Sequence, residues 1–193
     1  MRAPPFPPDQ MPPDVRALHD DMAEIAEHLK GFVSKREDDA LVGPFAPMLR
    51  FPQFGGSAWA YTKALIENSK LPKPAHELAI LVTGAAFDSR YELYAHERVA
   101  GQAGLSDAKI AAVAAGQRPA DLTEEEQAAY DVAAALTAGK QLPESTYQRA
   151  LKVFGEDQTA ELVYLVAGYG LISMLLNAYD VSVPGREEGL PRG

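Results

Sequence analysis

The chain has no cysteine in any of its 193 residues. That absence excludes disulfides, thiolate metal sites, iron–sulfur clusters and thiol nucleophiles together. Basic runs are missing too. Against 27 Asp and Glu stand only 18 Lys and Arg, a net charge of −9, with a pI near 4.9. Nucleic-acid binding depends on neutralising phosphates, and attraction to anionic membranes on clustered cations, so neither partner is expected. The first thirteen residues hold six prolines and no apolar segment, which is not the pattern of a secretory signal. One charge-free stretch, Leu162 to Ala178, is seventeen residues long and contains Gly168, Gly170, Ser173 and Asn177. Short for a membrane span and solitary, it reads as a helix buried in a core or a subunit interface. A cytoplasmic protein is the resulting expectation. Strand signals are also lacking: there is no sustained alternation and no Asn-Gly hairpin turn.

What is present is helical punctuation, with Pro near starts and Gly after ends. A proline-rich arm, 1–13, precedes a single helical domain, 14–184, and a polar tail, 185–193. Asp14 opens a helix to about Leu29, with Val15, Leu18, Met22, Ile25 and Leu29 as its apolar stripe. Residues 31–51 are irregular, with room for one short turn of helix. Pro52 opens a helix to about Asn68, and Pro74 another to about Phe87. Ser89 or Asp88 caps a fifth, ending near Gly104, and Ser106 begins a short one that stops at Gly116. Thr123 and Glu126 make a capping box for a helix ending at Gly139. After Pro143 one helix runs to Gly155, and a long apolar one spans about Gln158 to Ala178. The sum is an all-α domain of roughly eight helices.

An α-helix turns by about 100° per residue, which separates two look-alike pairs. Glu24 and His28 are spaced i,i+4 but lie opposite the apolar stripe, on a solvated face; His19 belongs to the same arm and is read in the same way. Glu92 and His96 are also i,i+4, on the side of Val99, Ala100 and Ala103, while Arg98 and Gln102 point away. A carboxylate and an imidazole on a small-residue, apolar face need partners, because burying either alone costs several kcal/mol. The preceding helix, HELAILVTGAAF, is apolar nearly all round yet carries Glu77, with Leu81 and Gly84 further along the same side. If the two helices form a hairpin, Glu77 approaches Glu92 and His96. Two readings stay open: an acid–base site, or a buried ion network that fixes helix packing. His76, at the first turn, suits an exposed or capping role. Two carboxylates and one imidazole also suggest a metal site, but di-iron bundles space Glu and His by three, and no second motif is present. No metal is therefore expected. A hydrolase reading fails for want of a G-x-S-x-G elbow.

The run ELAILVTGAAFDSRYELYAHERVAGQAGLSDAKI resembles the core motif of the carboxymuconolactone decarboxylase-like family within the AhpD-like superfamily. That motif is an acid on one helix, then Glu-x-x-x-His with a small residue four beyond: here Glu77, Glu92, His96 and Ala100. The flanking blocks LVGPFAPMLRFPQFGGSAWAYTKAL and LVYLVAGYGLISMLLNAYDVSVP are similar to the family as well, extending the resemblance over Leu41 to Pro184. It implies an AhpD-like helical bundle and a homo-oligomer, trimer or hexamer, binding a small-molecule substrate. The alkylhydroperoxidase branch places cysteines seven and four residues before the motif His. Ser89 and Glu92 stand there, so a dithiol peroxidase is excluded. The cysteine-free form looks like the decarboxylase branch, which implies cofactor-independent loss of CO₂ from a carboxylated lactone or similar acid of aromatic catabolism. In that scheme His96 is the general acid, held and made more basic by Glu92, and Glu77 positions or shares the proton. Arg50 is a candidate carboxylate clamp, Ser89 a candidate substrate-binding residue, and Tyr94 a packing residue. Gly170 stands where many long relatives carry a polar residue, often His, and is expected to enlarge the pocket or remove a partner. The alternative is a divergent, non-catalytic oligomer in which Glu77, Glu92 and His96 form a structural network.

Overall fold

The computed structural model describes residues 1–185; most of the expected polar tail lies outside the described residues. The described residues form eight α-helices: α1 Pro13–Ala26, α2 Phe45–Arg50, α3 Pro52–Asn68, α4 Lys73–Ala86, α5 Arg90–Gln102, α6 Asp107–Ala114, α7 Glu124–Thr137 and α8 Glu144–Ala178. The punctuation explains their starts. Pro occupies the first turn of α1, α3 and α4, where its missing N–H costs nothing. The box expected at Thr123 forms, and Glu126 also receives Lys109 Nζ at 2.7 Å, tying α6 to α7. The two C-terminal helices expected from sequence run on as α8, broken at Gly155, whose φ of 74° interrupts the helical backbone. Among the described residues the nearest thing to a strand is one isolated bridge, Lys35 to Leu41, in the irregular segment.

α4 is the centre of the bundle. It packs against α5, α6, α7 and α8, and every residue from Glu77 to Gly84 is buried. At about 1.5–3 kcal/mol for each large apolar side chain removed from water, Leu78, Ile80, Leu81 and Val82 make this helix the main hydrophobic anchor. α8 is long and apolar enough to cross a membrane, yet 56% of its most apolar stretch is buried inside the domain. Its outer face leaves Tyr164, Leu171 and Met174 exposed.

The N-terminal segments wrap this core. Asp21 on α1 accepts from Trp59 Nε1 and Lys63 Nζ on α3, both at 2.5 Å. His19 corrects the sequence reading. It is buried, with Nε2 3.1 Å from the Asp39 carbonyl and Nδ1 3.0 Å from the Asp20 carboxylate. The irregular segment folds over it, which helical periodicity on α1 alone does not disclose. The proline arm is docked as well: Arg2 bonds the carbonyls of Ala178 and Tyr179 at the end of α8.

Helices α2 and α3 approach so closely at Gly55 that a Cβ there would lie 2.0 Å from the Met48 carbonyl oxygen. Backbone, unlike a flexible side chain, cannot swing aside. Gly55→Ala is expected to destabilise the protein by about 2–4 kcal/mol, measured by urea unfolding. A change within experimental error would show that the two helices separate freely.

Candidate active site

The α4–α5 hairpin makes the site. Asp88 takes a left-handed conformation (φ 48°), and the Ser89 N–H reaches back to the Gly84 carbonyl at 2.9 Å, reversing the chain within three residues. Gly84 then lets α5 come close. A Cβ on it would sit 3.2 Å from the Glu92 Cβ, so the space anticipated beside Glu77 is the space α5 uses. The hairpin brings Glu77, Glu92 and His96 together, as their spacing predicted.

Their pairing differs from the expectation. His96 Nδ1 lies 2.8 Å from Glu77 Oε2, a hydrogen bond, whereas His96 Nε2 stands 3.5 Å from Glu92 Oε2. Glu77, not Glu92, orients the ring. With a proton on Nδ1 donated to Glu77, the second ring nitrogen is directed at Glu92 and the cavity. Glu77 also accepts from His76 Nδ1 at 3.2 Å through its other oxygen. Glu92 Oε2 is buried and has no hydrogen-bond partner. The edge of the array is closed by Tyr169 of α8, whose ring meets the His96 ring edge-on at 5.1 Å between centroids.

The electrostatics follow from these contacts. Burial opposes ionisation of Glu77, but the attraction and hydrogen bonds of His96 and His76 outweigh it and hold the carboxyl at about 2. Burial pushes Glu92 up to about 6; His96 pulls the other way and Glu77 adds repulsion. Burial also opposes charge on His96, yet Glu77, by charge and hydrogen bond, and then Glu92 raise it above its ordinary value. Desolvation, with both carboxylates nearby, raises Tyr169 far above the usual phenol, so its hydroxyl stays neutral.

A cavity of about 460 Å³ opens over this array, within the range of small-molecule sites. Glu77, Glu92, His96, His76 and Tyr169 all line it. Two expected substrate contacts are not among the lining residues. Arg50 instead donates through Nε to the Pro4 carbonyl at 3.0 Å and lies over the Phe6 ring at 4.3 Å, pinning the arm. Ser89 is fully buried at the start of α5, its hydroxyl unpaired and enclosed. Gly170 does not enlarge the cavity either, because the Phe87 ring fills the space beside it. Tyr94 packs as expected, under Arg98 and against the Val33 N–H. Sequence reasoning underrated His76 and missed Tyr169. Tyr169 sits in the flanking block already recognised, but its facing His96 is a tertiary fact. Among the described residues no group of three or more His, Asp or Glu is arranged to hold a metal ion.

The two carboxylates carry opposite pH signatures. Glu77, depressed from 4.5 to about 2, contributes stability that is present above 4.5 and lost as pH falls towards 2. Glu92, raised from 4.5 to about 6, favours its protonated form, a contribution present below 4.5 and lost as pH rises through 6. Glu92→Gln, which imitates the protonated acid, is therefore expected to match the wild type under acid conditions and to gain about 1–2 kcal/mol over it at mildly alkaline pH. Denaturant unfolding of both proteins across that range checks this; a difference that does not grow with pH contradicts it.

Comparison with known proteins agrees with this architecture. Residues 52–135 match the carboxymuconolactone decarboxylase family. A search of curated proteins gave no significant match. Among solved structures, an uncharacterized peroxidase-related protein with an alkylhydroperoxidase AhpD core, from Ralstonia eutropha JMP134, superposes with a TM-score of 0.73 at 18% identity, covering 95% of this chain and 92% of that one. The debrominase Bmp8, a Cys-to-Ala variant in complex with 2,3,4-tribromopyrrole, superposes at 0.72 with 15% identity, covering 96% and 92%. Its apo form gives 0.62 at 17%, covering 75% and 78%. The chain thus has the AhpD-like fold, and its segment 52–135, which holds Glu77, Glu92 and His96, matches the model of the carboxymuconolactone decarboxylase family.

Proposed function

We propose that this protein is a cofactor-independent decarboxylase, acting on a small unsaturated carboxylic acid of the carboxylated-lactone kind, with His96 as the general acid. The observation that carries the reading is the asymmetric seat of His96. Its Nδ1 is fixed on Glu77 at 2.8 Å, while Nε2 lies 3.5 Å from a buried Glu92 oxygen that accepts no hydrogen bond. Loss of CO₂ breaks the bond between the carboxylate and its carbon and leaves an electron pair delocalised through the conjugated system. A proton must then reach the far carbon. His96 Nε2 delivers it, and Glu92, whose acidity lies near neutrality at about 6, returns a proton to the ring. The substrate is its own electron sink, so the step balances without a further reactant. The absence of cysteine rules out a thiol peroxidase outright.

A second reading draws on the full engagement of Glu77 by two imidazoles. In it the network only locks α4 to α5, and no acid turns over. The two are separated by following CO₂ release and ultraviolet absorbance over a panel of unsaturated acids that includes γ-carboxymuconolactone. The wild type is expected to release CO₂ from at least one, and His96→Gln to be slower by about 10²–10⁴-fold while circular dichroism stays unchanged. CO₂ release by His96→Gln at the wild-type rate would remove His96 from the chemistry. Destabilisation by His96→Ala with no turnover by either protein would establish the second reading.

A further inference from the structure

A decarboxylation moves charge as well as a proton. As the bond to the carboxylate carbon breaks, its electron pair enters the conjugated system and collects on the substrate's carbonyl oxygen. His96 meets the carbon that is protonated and leaves that oxygen unmatched. A hydrogen-bond donor fixed beside it, in a site shielded from water, strengthens only as the charge develops and so lowers the barrier itself.

Most donors on the cavity lining are committed elsewhere. Trp59 gives its indole N–H to Asp21, Thr62 its hydroxyl to the Ala58 carbonyl, Tyr91 to the Val33 carbonyl and Ser69 to Glu161. His76 is held on Glu77 through Nδ1. His28, Lys30, Lys73 and Gln102 also line the cavity, but all four are exposed, where water competes for the same oxygen.

Tyr169 differs from all of these. It lines the cavity from α8, is only 9% exposed, and stands edge-on to the His96 ring at 5.1 Å between centroids. A buried tyrosine hydroxyl ordinarily finds a partner. Those of Tyr61, Tyr91 and Tyr94 are engaged, whereas that of Tyr169 makes no hydrogen bond with any described residue. Nor is it sealed in the core, as the unpaired hydroxyls of Ser89 and Ser173 are. Desolvation, and then the charges of Glu77 and Glu92, hold its proton in place, so the hydroxyl lies within electrostatic range of the same array.

Resting on the decarboxylase reading, we propose that the Tyr169 hydroxyl is the oxyanion donor, hydrogen-bonded to the substrate oxygen that gains charge as CO₂ leaves. The phenol keeps its own proton throughout. When His96 protonates the far carbon, the electron pair returns from that oxygen and the carbonyl re-forms. Oxygen and carbon belong to one conjugated system, so donor and acid must be neighbours, as α8 and α5 make them.

A conjugated anion tests the donor without turnover. para-Nitrophenolate shares its charge between one oxygen and a flat ring, as the intermediate does, and para-nitroanisole has the same outline with that oxygen capped and neutral. Absorbance titration at mildly alkaline pH gives the ratio of the two affinities. Tyr169→Phe, which deletes one oxygen and keeps the ring against His96, is expected to lower that ratio about ten-fold. Tyr91→Phe, whose hydroxyl is already committed, should leave it unchanged. An unchanged ratio in Tyr169→Phe overturns the assignment, as does an equal fall in Tyr91→Phe, a fall confined to His76→Gln, or no binding of the phenolate at millimolar concentration. With an acid that the wild type decarboxylates, Tyr169→Phe should lower kcat by about 10²–10³-fold and leave KM nearly unchanged. A raised KM at unchanged kcat overturns the assignment too, because the hydroxyl then grips substrate and transition state alike. A ratio that falls in Tyr169→Phe, in a protein that releases CO₂ from no acid, removes the decarboxylase reading and keeps the oxyanion site.

Discussion

The hydrogen bond between His96 Nδ1 and Glu77 joins α4 to α5 at 2.8 Å, and the site's geometry depends on it. α4 is enclosed by other helices on almost every side, so a carboxylate in its second turn is largely shielded from water. An isolated charge there would cost several kcal/mol, and the helix could not occupy the centre of the bundle. Partners must come from within. His76, the adjacent residue, supplies one donor and His96, across the hairpin, the other. Because Glu77 is then saturated, Glu92 is left with His96 Nε2 at 3.5 Å and a buried oxygen without a hydrogen bond. One carboxylate is held far below its ordinary acidity constant and its neighbour is pushed above it, the separation expected where two acids take different tasks.

Several remote features serve that one contact. Gly84 removes the side chain that would keep α5 away, and Asp88 closes the reversal that sets the register of His96 against Glu77. Glu161, on α8 and 92 residues from Ser69, clamps the loop that starts α4. Tyr169 bounds His96 from α8, so the ring has one way to face. Residues of the α4–α5 hairpin and of α8 thus bear on where a single imidazole nitrogen points.

How much of this could be read from sequence follows the range of the interactions involved. Helix starts were legible because they are local: Pro52 opens α3, Thr123 and Glu126 box α7, and Ser106 caps α6. The meeting of Glu77, Glu92 and His96 was legible because periodicity assigns faces and a short turn enforces a hairpin. Which carboxylate takes which ring nitrogen was not, since that depends on how side chains from two helices meet across the hairpin. His19 looked solvated because the segment that covers it has no periodicity to announce its path. Arg50 looked available because the arm that occupies it is proline-rich, a composition that gives no sign of docking, yet Pro4 and Phe6 hold its guanidinium.

The two positions that carry cysteines in the alkylhydroperoxidase branch show what the cysteine-free form has exchanged. Ser89 is enclosed and unpaired and is not among the residues that line the cavity. At the other position, Glu92 keeps its place beside His96 but changes what can pass between them. A thiol there would hand on electrons as well as protons; a carboxyl can hand on protons alone. Burial raises Glu92 to about 6, which makes it able both to give and to take a proton near neutrality, while Glu77 stays ionised and keeps the ring oriented. On the proposed reading, the same backbone and the same histidine serve proton transfer without redox. In that reading the acid placed one helical turn before the imidazole is what sets this chain apart from the alkylhydroperoxidase branch.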